Sequence, residues 1–182
     1  MPRIDAPTVE TAPAASQPQL AAVKKQLGVV PNLFRTIAHS PAALEGYLSL
    51  SGALAKGSLD AATRERIALA VAEFNGCGYC LAAHTYIGKN LAKLSDSEIE
   101  LNRRGRSSDA KADAAVVFAA NVISARGHVS EADLSAVRAA GLTEADIIEI
   151  IAHVALNTLT NYVNEVAGTI VDFPAVSALK AA

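Results

Sequence analysis

Residues 60–90 read DAATRERIALAVAEFNGCGYCLAAHTYIGKN and contain both cysteines of the chain. The first half is apolar at most positions up to Phe74, a pattern typical of a buried helix. Asn75 and Gly76 then form a helix-stop signal, so a second helix is predicted to begin at the cysteines. Outward from this central pair, no segment alternates polar and apolar residues with the period of a strand. We therefore predict an all-α fold.

The chain has 182 residues, enough for one domain with a sizeable core. Residues 1–18 hold four of the seven prolines, which predicts an extended N-terminal arm without a core of its own. Capping residues and glycine stops divide residues 19–182 into about eight helices of a single all-α domain. Alanine is abundant, and this favours closely packed helices and helices that bury a face against another subunit.

Composition argues against several classes of partner. The 16 basic and 18 acidic residues give a formal net charge of -2, which offers no electrostatic reason to expect a nucleic acid or an anionic membrane. Charges interrupt each apolar run before it reaches the length of a membrane span. The N-terminus lacks a secretory apolar segment, and two cysteines are too few for a disulfide scaffold. We expect a cytoplasmic protein whose Cys-x-x-Cys serves redox or metal chemistry.

Cys77 and Cys80 are predicted to lie at the start of the second helix. Unpaired N–H groups and the positive end of the helix dipole favour thiolate over thiol there, which makes the sulfur a better nucleophile. Three residues apart, the two sulfurs can reach bonding distance and cycle between dithiol and disulfide. His84 lies one turn beyond Cys80 and could exchange a proton with it. A carboxylate of the preceding helix, Glu65 or Glu73, is the candidate to orient the imidazole.

Four residues stand at a spacing that resembles the signature of the alkyl hydroperoxidase D branch of the carboxymuconolactone decarboxylase-like family: Glu65, Cys77, Cys80 and His84. The segment 75–84 is similar to the peroxidase-related members. The resemblance implies an all-α homo-oligomer that reduces small hydroperoxides without haem, flavin or metal as cofactor. By that resemblance Cys80 attacks the peroxide, and Cys77 resolves the sulfenic acid as a disulfide. Glu65 and His84 relay protons, and an external dithiol, a protein-bound lipoyl group in that family, reduces the pair again.

One position departs from the pattern that the chain resembles. The founding hydroperoxidases carry a histidine immediately before the second cysteine, and Tyr79 stands there in this chain. The difference predicts weaker peroxidase activity, or another electrophile such as a disulfide as the substrate. Tyr79 is also a candidate substrate-binding residue, although packing is the commoner role for such a tyrosine. The cysteine pair argues against the decarboxylase branch, whose members lack it.

Other functions stay open at the level of sequence. A general thiol-disulfide oxidoreductase would use the same two cysteines. A cofactor-free decarboxylase-like or isomerising enzyme would use His84 and Glu65 as acid and base. A redox-sensing helical oligomer would form the disulfide without turnover. Zinc binding by the cysteine pair, His84 and His153 is a further alternative, although the second Cys/His pair of typical structural zinc sites is missing.

The last long helix, predicted over residues 143–167, carries polar residues on an apolar background. His153 fits the usual pattern of a hydrogen-bonded core histidine. Asn157, Asn161 and Asn164 recur at helical spacing and predict a polar seam. The sequence places this seam either in a subunit interface or near the site, and does not decide between them.

Overall fold

The computed structural model describes residues 1–177 and 179, and the regular structure within them is entirely helical. The predicted all-α class is confirmed. The final positions of the predicted domain, 178 and 180–182, lie outside the described residues. Within the described part, a 3₁₀ turn (Ala14–Ser16) precedes nine α-helices, one more than the approximate eight expected: α1 (Gln17–Leu27), α2 (Asn32–Ile37), α3 (Pro41–Leu54), α4 (Ala61–Phe74), α5 (Gly78–Asn90), α6 (Asp96–Arg103), α7 (Ala110–Ser124), α8 (Glu131–Ala139) and α9 (Glu144–Ala167).

Helix α4 is the centre of the fold because its sequence offers apolar side chains in every direction. Residues 67–72 are all buried, and the helix packs against α5, α6, α7 and α9. Asp60 caps its N-terminus, accepting the backbone N–H of Thr63 at 2.6 Å. A helix enclosed on so many sides holds its few polar side chains at fixed positions, and Glu65 is one of them.

The connection from α4 to α5 is a single tight turn. Gly76 has a φ of 67°, a left-handed conformation that glycine adopts without steric cost. Cys77 is the N-cap of α5, and the helix begins at Gly78, as predicted. Cys80 therefore lies in the first helical turn, where backbone N–H groups have no helical partner.

The N-terminal residues lie along the helices. The backbone N–H groups of residues 3 and 4 donate to the carbonyl of Ala167 at the end of α9, at 2.7 and 3.1 Å. Arg35 on α2 donates to the carbonyls of residues 6 and 7. Helix α1 begins at Gln17, inside the predicted arm, because a proline in the first turn of a helix removes no helical hydrogen bond.

Helix α9 runs across the molecule and joins its parts. It packs against α2, α3 and α5 on one side of the fold and against α4 and α7 on the other. Its start has the predicted capping box, in which the side chains of Thr143 and Asp146 each accept a backbone N–H of the other residue. Polar residues break its apolar character, and no helix in residues 1–177 is both long and apolar enough to cross a bilayer.

Candidate active site

The structure brings most of the predicted site residues together around one cavity between α3, α4, α5 and α9. The cavity has a volume of about 150 Å³. Glu65, Cys80 and His84 all line it, together with Tyr79. Cys77 is completely buried and lies next to Cys80, outside the lining. The cavity therefore exposes one sulfur of the pair to a small molecule and hides the other.

The two sulfurs differ in protonation. Both cysteines are free thiols, and Cys77 donates its S–H to Cys80. This hydrogen bond, together with burial, raises the pKa of Cys77 far above its ordinary range. The same hydrogen bond lowers the pKa of Cys80 to about 6, against the opposing effect of burial. At neutral pH Cys80 is therefore a thiolate and Cys77 a thiol.

Three further groups stabilise the Cys80 thiolate: the positive charge of His84 and the amides of Asn161 and Asn164 on α9. Asn164 Nδ2 donates to Cys80 Sγ at 3.2 Å. Asn161 Oδ1 accepts a hydrogen bond from Asn75 at 2.8 Å, which fixes the orientation of its amide. Asn161 lies near enough to Cys80 to lower its pKa, although its Nδ2 makes no hydrogen bond of normal geometry with the described residues.

The asparagine seam of α9 therefore lies at the site, which settles the alternative that the sequence left open. Asn157, Asn161 and Asn164 are all buried, and Asn157 lines the cavity. Buried amides are costly unless they are hydrogen-bonded, and an ionised sulfur is a strong acceptor for two of them. The sequence did carry a sign of this role, because three asparagines recur on the inner face of an otherwise apolar helix.

His84 and Glu65 form an ion pair at the more exposed edge of the site. His84 Nδ1 lies 2.8 Å from Glu65 Oε2, and the two side chains are 21% and 17% exposed. Burial lowers the pKa of His84, but the charge and hydrogen bond of Glu65, then the charge of Cys80, outweigh it and shift the pKa upward. His84 Nε2 is thus left as the ring nitrogen for proton transfer. Glu73, the other candidate carboxylate, pairs with Arg103 at 2.7 Å and serves as a structural bridge.

Two tyrosines line the cavity in different ways. The Tyr79 hydroxyl donates to Asp172 at 2.7 Å and accepts the backbone N–H of Leu33 at 3.1 Å, so its ring is the part left to contact a substrate. Tyr47 comes from α3. Burial and the nearby negative charge of Cys80 raise the pKa of Tyr47 to about 12. Tyr47 therefore stays protonated and is an available hydrogen-bond donor in the cavity.

The geometry does not support the zinc alternative. His153 lines the same cavity as Cys80 and His84. Even so, within the part of the chain that the structure describes, no three His, Cys, Asp or Glu side chains are grouped so that they could hold a metal ion. The pKa of His153 is lowered, first by burial and then by the charge of Arg64, so this histidine is neutral.

Residues 41–125 match the sequence model of the carboxymuconolactone decarboxylase family. The whole fold is similar to an uncharacterized peroxidase-related protein from Ralstonia eutropha JMP134 with an alkylhydroperoxidase AhpD core, at a TM-score of 0.83 and 28% identity, covering 94% of this chain and 92% of that one. The match over residues 41–125 and this likeness of the whole fold both support the carboxymuconolactone decarboxylase family. A second peroxidase-related protein of the same fold, from Silicibacter sp. TM1040, has a TM-score of 0.80 at 26% identity, covering 93% of this chain and 91% of that one.

The family fold supports more than one chemistry. The debrominase Bmp8, solved in complex with 2,3,4-tribromopyrrole, has a TM-score of 0.77 at 18% identity and covers 93% of this chain and 91% of its own. That likeness is one of fold alone. A search of the curated proteins gives no match to this sequence. The resemblance drawn from four residues is thus confirmed, at the level of peroxidase-related and decarboxylase-like proteins.

Proposed function

We propose that this protein is a thiol-dependent peroxidase that reduces small hydroperoxides through a Cys80/Cys77 dithiol-disulfide cycle. The observation that supports this most strongly is the difference between the two sulfurs. Cys80 lines the cavity and has a pKa of about 6, whereas Cys77 is a buried thiol hydrogen-bonded to it. The nucleophile and the resolving thiol are thus distinguished before any substrate binds.

The first step is attack of the Cys80 thiolate on the terminal oxygen of the hydroperoxide. The S–O bond forms, the O–O bond breaks, and Cys80 becomes a sulfenic acid. The departing alkoxide takes a proton and leaves as an alcohol. His84 is the proton source, because its pairing with Glu65 raises its pKa. Tyr47 can donate a hydrogen bond to the leaving oxygen in the same cavity.

The second step closes the disulfide. The Cys77 thiol attacks the sulfenic sulfur of Cys80, and the hydroxyl group leaves as water with the Cys77 proton. The two sulfurs are already in hydrogen-bond contact, so little backbone movement is needed. An external dithiol then supplies two electrons and is itself oxidised to a disulfide. A protein-bound lipoyl group is the dithiol that the family resemblance implies.

The cavity is large enough for a small organic substrate. An engineered protein cavity of about 150 Å³ binds benzene, so a cavity of this volume can hold the reacting end of a small organic hydroperoxide. An acid-base enzyme of the decarboxylase type would need only His84 and Glu65. That alternative leaves the ionised sulfur and its amide donors without a role, and activity that survives in a Cys77→Ser/Cys80→Ser double variant would favour it.

Thiol titration tests the proposal directly. The reduced protein is treated with one equivalent of tert-butyl hydroperoxide, and free thiols are counted after denaturation. We expect two thiols to disappear per chain without an increase in covalent mass. In Cys77→Ser, we expect Cys80 to be trapped as a sulfenic acid that a dimedone probe labels. No loss of thiols would contradict the proposal, and loss with 2,3,4-tribromopyrrole alone would favour dehalogenation in its place.

A further inference from the structure

Arg64 and His153 form a second polar part of the cavity lining, which the peroxide chemistry does not use. Both side chains line the cavity that Cys80 also lines. They lie close enough together for the charge of Arg64 to act on the His153 imidazole. The Cys80 thiolate is stabilised by other groups, namely Cys77, His84 and two asparagines of α9. The arginine charge is therefore available for another purpose.

The guanidinium of Arg64 has N–H donors that make no hydrogen bond with the described residues. Its Nη1 donates to the carbonyl of Leu59 at 2.5 Å. Within residues 1–177, none of the ion pairs includes Arg64. The neighbouring carboxylates are engaged elsewhere: Glu65 pairs with His84, and Glu149 accepts two backbone N–H groups of the loop before α4. An arginine that faces a cavity without a carboxylate partner is a ready site for an anion.

His153 supplies a second unfilled hydrogen-bonding position at the same place. The residue is 5% exposed, and its Nε2 has no partner among the described residues. Buried polar atoms in native proteins are nearly always paired, so an unpaired ring nitrogen of a residue that lines the cavity is a candidate partner for a bound molecule. A neutral imidazole can place its one N–H on Nε2 and donate it to a carboxylate oxygen.

We propose that Arg64 and His153 bind a carboxylate of the substrate, and that the substrate is a small hydroperoxide that carries a carboxylate. The identity of the other end as a hydroperoxide rests on the proposed function. Glu65 and the Cys80 thiolate are negative and repel an anion, and the positive charge of His84 is already paired with Glu65. Arg64 is the cation of the lining that is left to attract an anion. A carboxylate held by Arg64 would therefore turn the uncharged peroxide group toward Cys80.

Two hydroperoxides of matched shape test this inference. The first is tert-pentyl hydroperoxide, and the second is 3-hydroperoxy-3-methylbutanoate, which has a carboxylate in place of one methyl group. We expect the wild-type protein to prefer the carboxylate by about tenfold or more in kcat/KM, the size of one charge-assisted pair. Arg64→Gln should remove that preference, and Arg64→Lys should retain part of it. Arg104→Gln, which changes an exposed arginine just after α6, is the matched control and should leave the ratio unchanged.

Binding of a peroxide-free acid separates this inference from the proposed function. The probe is 3-hydroxy-3-methylbutanoate, and titration calorimetry measures its Kd for wild type, Arg64→Gln and Arg64→Lys. Binding that weakens about tenfold or more in Arg64→Gln supports the carboxylate site even if no hydroperoxide is ever reduced. Equal Kd values, together with the same substrate ratio in wild type and Arg64→Gln, would overturn the site and leave the peroxidase proposal standing. A melting curve of each variant shows that it is folded.

Discussion

Helix α4 takes part in two carboxylate clusters, and they are built in opposite ways. On one side Glu98 of α6 is 5% exposed and accepts hydrogen bonds from four side chains: Arg66, Asn102, Ser107 and Ser108. On the other side Glu65 faces a cavity and has one partner, His84. Both oxygens of the Glu98 carboxylate accept hydrogen bonds from the protein. The second cluster lines a cavity that a small molecule can enter, and that is the arrangement a reactive site requires.

The same electrostatic forces give different outcomes in the two clusters. Burial raises the pKa of Glu98, but the hydrogen bonds of Ser107, Ser108 and Asn102 outweigh it, and the net shift is strongly downward. The result is a permanently charged and inaccessible carboxylate. In the open cluster the downward shift falls on Cys80, the proposed nucleophile, which lines the cavity. The two clusters differ in access to a cavity more than in the size of their pKa shifts.

Replacement of Cys80 by serine should have the largest effect, and on activity alone. A serine hydroxyl is not ionised at neutral pH, so we expect peroxide consumption to fall by about a thousandfold or more. The melting temperature should change little, because serine fills nearly the same volume. Cys77→Ser is the control, and it should consume one equivalent of peroxide before it stops. Sustained turnover by Cys80→Ser would show that the open cluster works without its sulfur.

Replacement of Glu98 by glutamine should lower the stability of the fold and leave the peroxide reactivity unchanged. The change leaves Arg66 buried without its anionic partner, a kind of loss that costs about 3 kcal/mol. Urea denaturation measures the free energy of unfolding, and thiol titration with hydroperoxide measures the reactivity of the folded protein. We expect the free energy of unfolding to fall and the reactivity with hydroperoxide to persist. Glu100→Gln, at an exposed position of the same helix, is the control and should be nearly neutral. A loss of peroxide reactivity in folded Glu98→Gln would mean that the two clusters are not independent.

The local features of the site could be predicted because they depend on neighbours in the sequence. The turn at Gly76, the N-cap at Cys77 and the start of α4 at Asp60 each follow from a few adjacent residues. The proximity of Glu65 to His84 followed from the family resemblance, since the two residues lie on successive helices. Their roles in chemistry, like the homo-oligomer, stay predictions.

The contributions of α9 could not be predicted, because they depend on how a helix far along the chain packs across α4 and α5. Asn164 is 84 positions beyond Cys80, and only the tertiary fold joins their side chains. Among the described residues Arg64 has no ion-pair partner, and this too depends on tertiary packing. The burial pattern of α9 could not be predicted from its sequence either. Its outer face exposes five large apolar side chains: Ile148, Ile151, Leu159, Tyr162 and Val166.

Replacement of Asn164 by leucine should have the smallest effect of the three, and it addresses how the open cluster ionises its sulfur. The wild-type rate of Cys80 alkylation by iodoacetamide should rise with pH, pass a midpoint near the Cys80 pKa of about 6, and then level off. Leucine removes the N–H donor at 3.2 Å, which favours the protonated thiol, so the midpoint should move upward. A hydrogen bond to a charged group is worth about 1.5 kcal/mol, which corresponds to a shift of about one pH unit.

Peptide mass spectrometry assigns the alkylation to Cys80, since Cys77 stays protonated over this range. Asn121→Leu is the matched control, because Asn121 donates to Asp133 in a different part of the fold. That variant should keep the wild-type midpoint. If Asn164→Leu also kept it, the amide would be a packing group and the hydrogen bond from Cys77 would stabilise the thiolate without it. If the alkylation midpoint moves upward in Asn164→Leu alone, the buried amide of α9 helps to set the reactivity of Cys80. Glu98 of α6, by contrast, stabilises the fold.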